Sequence, residues 1–277
     1  MSIKEKNKCF IYKNDLKFNN DMNLENGDFE SDSMVKSIHK NFKNKPKIEL
    51  RIEDSNMENH RYLDLSRLEI DNEHLIKLFE LKRIVEILRK IEFLDLSNNN
   101  LTKMPDLNAY PNIKFLNVSF NNIDQCINDT NLIELSCHNN KIKTIISNKL
   151  THLNASNNLI EMIDVPKIKV LVISYNKLNW IPSYLNLRYL ECIENQITQI
   201  DNMIELEELY IGNNHLSFIK NMPKLKVLNC VNNPIQKINY FPKLQTLMAS
   251  IAKVSSQYIV TNISKIKSEF LINFEPN

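Results

Sequence analysis

Glycine is almost missing from this chain: 2 of its 277 residues. Loops that cradle phosphate on bare backbone amides need several glycines, so a nucleotide-binding loop has no material here. Long hydrophobic runs are missing too. A membrane-spanning helix needs about 20 consecutive apolar residues, and no such run occurs. The opening residues Met1-Ser-Ile-Lys-Glu-Lys-Asn-Lys8 lack the apolar stretch of a secretory signal. The expected location is therefore intracellular and cytoplasmic, and the Asn-x-Ser triplets at Asn117 and Asn154 read as by-products of an Asn-rich composition. Charge of one sign is scarce as well: the formal net charge is +2, which gives no global attraction to nucleic acid or an anionic membrane. The 5 cysteines are an odd number, which a closed disulfide framework would leave unbalanced. What is present, 43% hydrophobic and 25% charged residues, suits a soluble folded protein. Heavy use of Asn, Ile and Lys is the bias of an AT-rich genome.

What fills the chain instead is a repeat. From Ile91 onward one pattern recurs: apolar, two variable, apolar, one variable, apolar, two variable, Asn, one variable, apolar. The first copy is Ile91-Glu-Phe-Leu94-Asp-Leu96-Ser-Asn-Asn99-Asn-Leu101, and later copies begin at Ile113, Leu132, Leu150, Ile168, Leu187, Leu206, Leu225 and Leu244. Counting the first apolar residue of each copy as position 1, position 9 holds Asn99, Asn121, Asn140, Asn158, Asn176, Asn195, Asn214 and Asn233, and Ala252 breaks the series in the last copy. Positions 4 and 6 alternate with variable residues, so this stretch predicts a short strand with one face inward. The apolar residues at positions 1, 4, 6, 11 and 14 would fill the inside of a coil. One coil cannot bury its own apolar face, whereas stacked coils can. A sharp turn after each strand leaves backbone groups that the buried Asn can satisfy.

The repeat resembles that of the leucine-rich-repeat family, whose core is L-x-x-L-x-L-x-x-N-x-L, over roughly residues 60 to 254. Its steps of 18 to 22 residues are shorter than usual and are most similar to the short repeats of YopM-like bacterial effectors. The resemblance implies an α/β fold: a right-handed leucine-rich-repeat solenoid with a parallel β-sheet on the concave side, a mostly non-helical convex side, and helices near the two ends. Pro166, Pro182, Pro223 and Pro242 fall on the return side, where they disfavour a helix. The expected organisation is an arm of poor order at 1–46, a solenoid of about ten coils at 47–254, and a C-terminal cap at 255–277. Within it, Lys47–Ile52 is expected to be a capping strand. A helix capped by Asp71 is expected on the convex side of the first coil, from the spacing of Leu75, Leu78, Phe79, Ile84, Val85 and Leu88. Ser255 to Phe270 reads as a helix, with Leu271–Phe274 covering the last coil.

Catalytic chemistry finds no purchase on this frame. The register sends Cys137, Cys192 and Cys230 (position 6) and Cys126 (position 14) inward as small apolar fillers, leaving Cys9 outside the repeat. No Cys-x-Asp occurs, so the ubiquitin-ligase activity of some short-repeat effectors does not carry over. His138 and His152 sit at positions 7 and 3 of neighbouring coils. That offset of about 13 Å is too long for one zinc ion, which holds its ligands at about 2 Å. The expectation is a non-enzymatic protein with no metal and no cofactor.

The concave face, positions 3, 5 and 7, is the expected recognition surface. It carries Asp64, Asp95, Glu134, Glu191 and Glu208 and no Lys or Arg, while lysines gather at the coil edges. Nucleic acid is disfavoured there, because phosphate contacts supply most such affinity. Tyr62, Phe93 and Phe115, with Phe120 nearby, line up as one aromatic strip; Tyr175, Tyr189 and Tyr210 form a second. The expected partner is a protein, with a basic or polar segment, meeting a monomeric chain that binds neither nucleic acid nor membrane. The alternative is a regulatory subunit that holds and controls an enzyme such as a phosphatase.

Overall fold

The computed structural model describes residues 47, 48, 51, 61–127, 131–220, 222–235, 237–238, 241–250 and 270–273. Their dominant feature is an eleven-stranded, wholly parallel sheet in which each strand neighbours the strand of the next coil. The strands are three residues long in most coils, from Tyr62–Asp64 and Phe93–Asp95 to Val227–Asn229, and they occupy repeat positions 3 to 5. The ladder pairs like positions: Tyr62 with Phe93, Phe93 with Phe115, Phe115 with Glu134, Glu134 with His152, and onward to Tyr189 with Glu208. The columns read from the repeat are thus the columns of the sheet, about 4.8 Å apart.

The core is a stack of aliphatic layers. Leu94 and Leu96, Leu116 and Val118, Leu171 and Ile173, and Leu209 and Ile211 are almost wholly excluded from water. Position 11 adds Leu101, Ile123, Ile142, Ile160, Leu178, Ile197 and Leu216 from the turn. The convex side is extended: Cys126–Ile127, Thr144–Ile146 and Met162–Asp164 pair as a small parallel sheet, followed by Trp180–Ile181 with Gln199–Ile200 and Phe218–Ile219 with Lys237–Ile238.

Each strand ends in the same sharp turn. Position 8 has a left-handed backbone in coil after coil: Arg67, Asn98, Phe120, Asn139, Asn157, Tyr175, Glu194, Asn213 and Asn232 all have φ between 53° and 59°. Asn tolerates this region better than most residues. That explains the Asn-Asn doublets, in which the first Asn makes the turn and the second bonds to it. Asn158 illustrates the second role. Its Nδ2 donates to the Cys137, Ala155 and Ser156 carbonyls at 3.0, 3.1 and 3.2 Å, and its Oδ1 accepts from the Ile142 amide at 3.0 Å. It therefore ties its own turn to the preceding coil, as Asn121, Asn176, Asn195, Asn214 and Asn233 do.

The first coil carries two convex helices rather than one, Asn72–Glu80 and Lys82–Leu88. The Asp71 carboxylate caps the first by accepting from the His74 amide at 2.8 Å. Leu81 breaks them apart with an extended backbone. The apolar spacing gives the reason: Ile84 lies five positions after Phe79, a step that a continuous helix cannot keep on one face. The break re-phases the chain so that Leu75, Leu78, Ile84, Ile87 and Leu88 are all buried. The expected strand at Lys47–Ile52 is not formed. Lys47, Ile48 and Arg51 are helical, and Ile48 is fully buried. Its side chain meets the core from a helix, which leaves the edge backbone of Tyr62–Asp64 to be met by Arg51 instead. At the other end Phe270–Asn273 pairs in parallel with Thr246–Ser250, closing the last coil. The expected arm at 1–46 and most of the expected 255–270 helix lie outside the described residues.

Candidate functional site

The concave face is built from positions 3, 5 and 7, and its side chains are locked to one another along and across the strands. Two aromatic ladders cross it. Tyr62 and Phe93 have ring centroids 5.0 Å apart, and Phe93 stacks on Phe115 at 6.3 Å. Six coils along, Tyr189 and Tyr210 lie 5.6 Å apart on neighbouring strands. Each of these tyrosines bonds to a carboxylate two residues away on the same face. The Tyr189 hydroxyl donates to Glu191 at 3.0 Å and the Tyr210 hydroxyl to Glu208 at 3.1 Å. Burial, with Glu191 beside it, holds the Tyr189 hydroxyl protonated far above the usual phenol range. The Ser174 hydroxyl donates to the other Glu191 oxygen at 3.0 Å. Rings fixed in this way lose little rotamer freedom when something packs on them.

The acidic groups differ more than their alignment suggests. Asp95 is fully buried, accepting from the Ser97 amide at 2.9 Å and from Asn117 at 3.2 Å. Asp64 accepts from Arg51 at 3.2 Å. Glu208 is only 8% exposed. Glu134 and His152 face each other at 3.3 Å on paired strands. Burial lifts the Glu134 carboxyl to about 7 and pushes His152 below the usual imidazole range, with Lys169 adding to the second effect. Both shifts favour the uncharged forms, so this contact is a neutral polar pair more than an ion pair. His138 is also held uncharged by burial, edge-on to Phe120 at 4.9 Å. Among the described residues no group of three or more His, Cys, Asp or Glu is placed to hold a metal ion.

Phe120 and Tyr175 stand apart from the other site residues. They occupy the left-handed position 8, with φ of 54° and 58°, where five other coils carry Asn. They are 49% and 54% exposed. A bulky side chain in this backbone region is a strained choice, and here it places an aromatic ring in solvent at the rim of the sheet.

One surface feature escaped the sequence reading. Met162, Trp180 and Phe218 share position 13 on the convex side and are each about half exposed; Ile146 and Leu185 are further exposed apolar residues. The column was visible in the repeat register, but its outer-strand pairing was not. The edge lysines form cross-coil ion pairs: Lys220 with Asp201 at 2.8 Å, Lys224 with Glu205 at 2.6 Å and Lys226 with Glu207 at 2.6 Å. No helix among the described residues is long and apolar enough to cross a membrane.

A solenoid with an Asn-bonded turn after every strand of a continuous parallel sheet defines a class of scaffold, one that presents a long regular face. The comparisons agree with the class and narrow it. A family model described as Leucine Rich Repeat matches residues 90–108, the coil that contains Asn99. A leucine-rich-repeat protein of Acanthamoeba polyphaga mimivirus is 30% identical over 157 residues, or 51% of this chain and 37% of that protein. The chain therefore matches little more than a third of that relative's length. Among solved structures, YopM of Yersinia pestis is similar with a TM-score of 0.58 and 20% identity, over 79% of this chain and 68% of that one. An internalin of Listeria monocytogenes is similar at 0.53 and 20% identity, over 76% and 67%. The chain is similar to leucine-rich-repeat proteins in sequence over that coil and in fold over most of its length. Folds of this family serve in general as protein-interaction modules.

Proposed function

We propose that this chain is a non-enzymatic binding protein whose concave sheet docks another protein, with Tyr189 and Tyr210 as the central anchors. The observation that carries the reading is the paired tyrosine ladder braced by Glu191 and Glu208. Large rings held in place by their hydroxyls cost little entropy to bury, and tyrosine is common among residues that dominate binding energy. The second supporting fact is compositional. The three outward columns hold carboxylates and no Lys or Arg, which favours a partner segment with basic or polar side chains. Phe120 and Tyr175, exposed at strained turns, extend the surface along one rim.

The test needs a partner isolated with the full chain and then titrated against variants. Tyr189→Ala with Tyr210→Ala should weaken binding about 30-fold or more, the equivalent of about 2 kcal/mol for a dominant contact. An unchanged affinity would remove the concave face from the account. Should the isolated partner be an enzyme whose rate changes on binding, the reading becomes that of a regulatory subunit on the same surface.

A further inference from the structure

The concave face has an edge at which another part of the chain arrives. Ile48 is sunk in the core, and Arg51 grips the rim of the first strand. Its Nη1 donates to the Ser66 carbonyl at 2.6 Å, to the Asp64 carbonyl at 3.3 Å and to Asp64 Oδ1 at 3.2 Å. Asp64 is an outward position of the sheet, so the 46 residues that precede this anchor join the solenoid at the border of the concave face itself. Burial along that face is uneven. Asp95 is fully buried and Glu208 nearly so, whereas Asp64, Asn117, Asn154 and Glu191 keep part of their surface in solvent. The face offers carboxylates and tyrosine rings and lacks any basic column. The first twenty residues offer the complement: five lysines against two acids, with the segment Lys8-Cys-Phe-Ile-Tyr-Lys13 placing two aromatics between two lysines.

We propose that Lys8–Lys13 docks in cis on the concave face across Tyr189, Glu191, Glu208 and Tyr210, and so competes with the partner. This rests on the reading of that face as the binding site. Phe10 and Tyr12 match the ring pair, and Lys8 and Lys13 match the carboxylates. The reach also fits. About 35 residues separate Tyr12 from the anchor at Ile48, and a chain of that length can extend to roughly 115 Å. From the first strand to the strand of Glu208 there are seven spacings of about 4.8 Å, or about 34 Å. A tether long enough to reach makes the contact intramolecular, at an effective concentration that can approach the millimolar range. A contact too weak to hold as a free peptide is then substantially occupied in cis, and a partner's apparent affinity falls by the fraction of chains left open.

Cys9 lies inside this segment, while Cys126, Cys137, Cys192 and Cys230 are buried, so the full chain can be labelled at one place. A thiol-directed benzophenone on Cys9, irradiated at low micromolar protein and mapped by mass spectrometry, reports where the segment sits. The expected result is intramolecular cross-links to the strands between Val170 and Asn229, with a yield independent of protein concentration. Phe10→Ala with Tyr12→Ala, changes that lie outside the coils, should cut that yield at least tenfold. Cross-links spread evenly over the chain, concentrated on the Met162, Trp180 and Phe218 side, or insensitive to the arm substitutions would overturn the proposal. The two readings fail separately. Absent cross-links with partner binding still lost in the tyrosine variant would remove the cis contact alone. Cross-links present with partner binding indifferent to the tyrosines would leave the cis contact standing and remove the partner site.

Discussion

Replacing Asn158 by alanine isolates the device that joins one coil to the next, and the hydrogen bonds set the size of the loss. The side chain makes four contacts, but they are not equally exposed to its removal. The Cys137 carbonyl keeps a second donor in Asn140 at 3.0 Å, and the Ala155 carbonyl keeps Asn176 at 3.0 Å. The Ser156 carbonyl keeps the Asn139 amide at 2.9 Å. The Ile142 amide depends on the lost group: it donates to Asn158 Oδ1 at 3.0 Å, and Ile142 is fully buried. The variant thus leaves one buried donor unsatisfied, a loss of about 1–3 kcal/mol, and not the sum of four bonds. Equilibrium denaturation in urea, compared with Lys177→Ala on the exposed edge, measures it. The lysine variant should lie within about 0.5 kcal/mol of the parent. Equal midpoints for the two would refute the assignment of the ladder. A loss above about 4 kcal/mol would show that the carbonyls do not back one another up.

Tyr175→Asn should raise stability by roughly 1 kcal/mol, because it relieves a left-handed backbone that most L-residues adopt at a cost of about 1–2 kcal/mol; a destabilised variant in the same urea assay would show that the ring contributes packing. Glu134→Gln tests the buried carboxyl. Since the folded-state value is raised from 4.5 to about 7, the folded protein holds the proton more tightly than the unfolded chain. The parent therefore loses stability as pH rises from 4.5 through 7. Relative to the Gln variant the loss between pH 5 and 8 should be roughly 1–2 kcal/mol after solvent screening at the rim, and parallel pH profiles would count against it. Iodoacetamide should label Cys9 in the native protein and reach Cys126, Cys137, Cys192 and Cys230 after unfolding. Burial pushes the Cys230 thiol up to about 12 and raises those of Cys137 and Cys192 well above the ordinary range. Rapid native modification of Cys192, read by mass spectrometry, would contradict its inward placement.

Much of this fold was legible because a solenoid repeats its constraints. A single short apolar run cannot distinguish strand from helix, yet nine copies in phase define which residues share a column, and the sheet pairs those columns. The left-handed turn was written in the Asn-Asn doublets but is a backbone property, so Phe120 and Tyr175 read as aromatics near the face and not as strained ones. The Leu81 break and the helical backbone at Lys47, Ile48 and Arg51 belong to the non-repeating start of the solenoid, where one copy of the pattern offers nothing to compare against. The site was half legible. Alignment placed Tyr189 beside Glu208 and Glu191 beside Tyr210, but alignment carries no burial. It could not distinguish the sealed carboxylate of Asp95 from the half-open one of Glu191, or find the hydroxyl bonds that brace the two rings.

The central claim, that recognition happens on the concave sheet, is tested most directly by titrating the isolated partner against two double variants of the full chain. One carries Tyr189→Ala and Tyr210→Ala; the other carries Trp180→Ala and Phe218→Ala in the exposed convex column. The account predicts an affinity loss of about 30-fold or more for the first, from about 2 kcal/mol of lost anchoring, and a change within twofold for the second. A large loss in the convex variant with an unchanged concave one would contradict it.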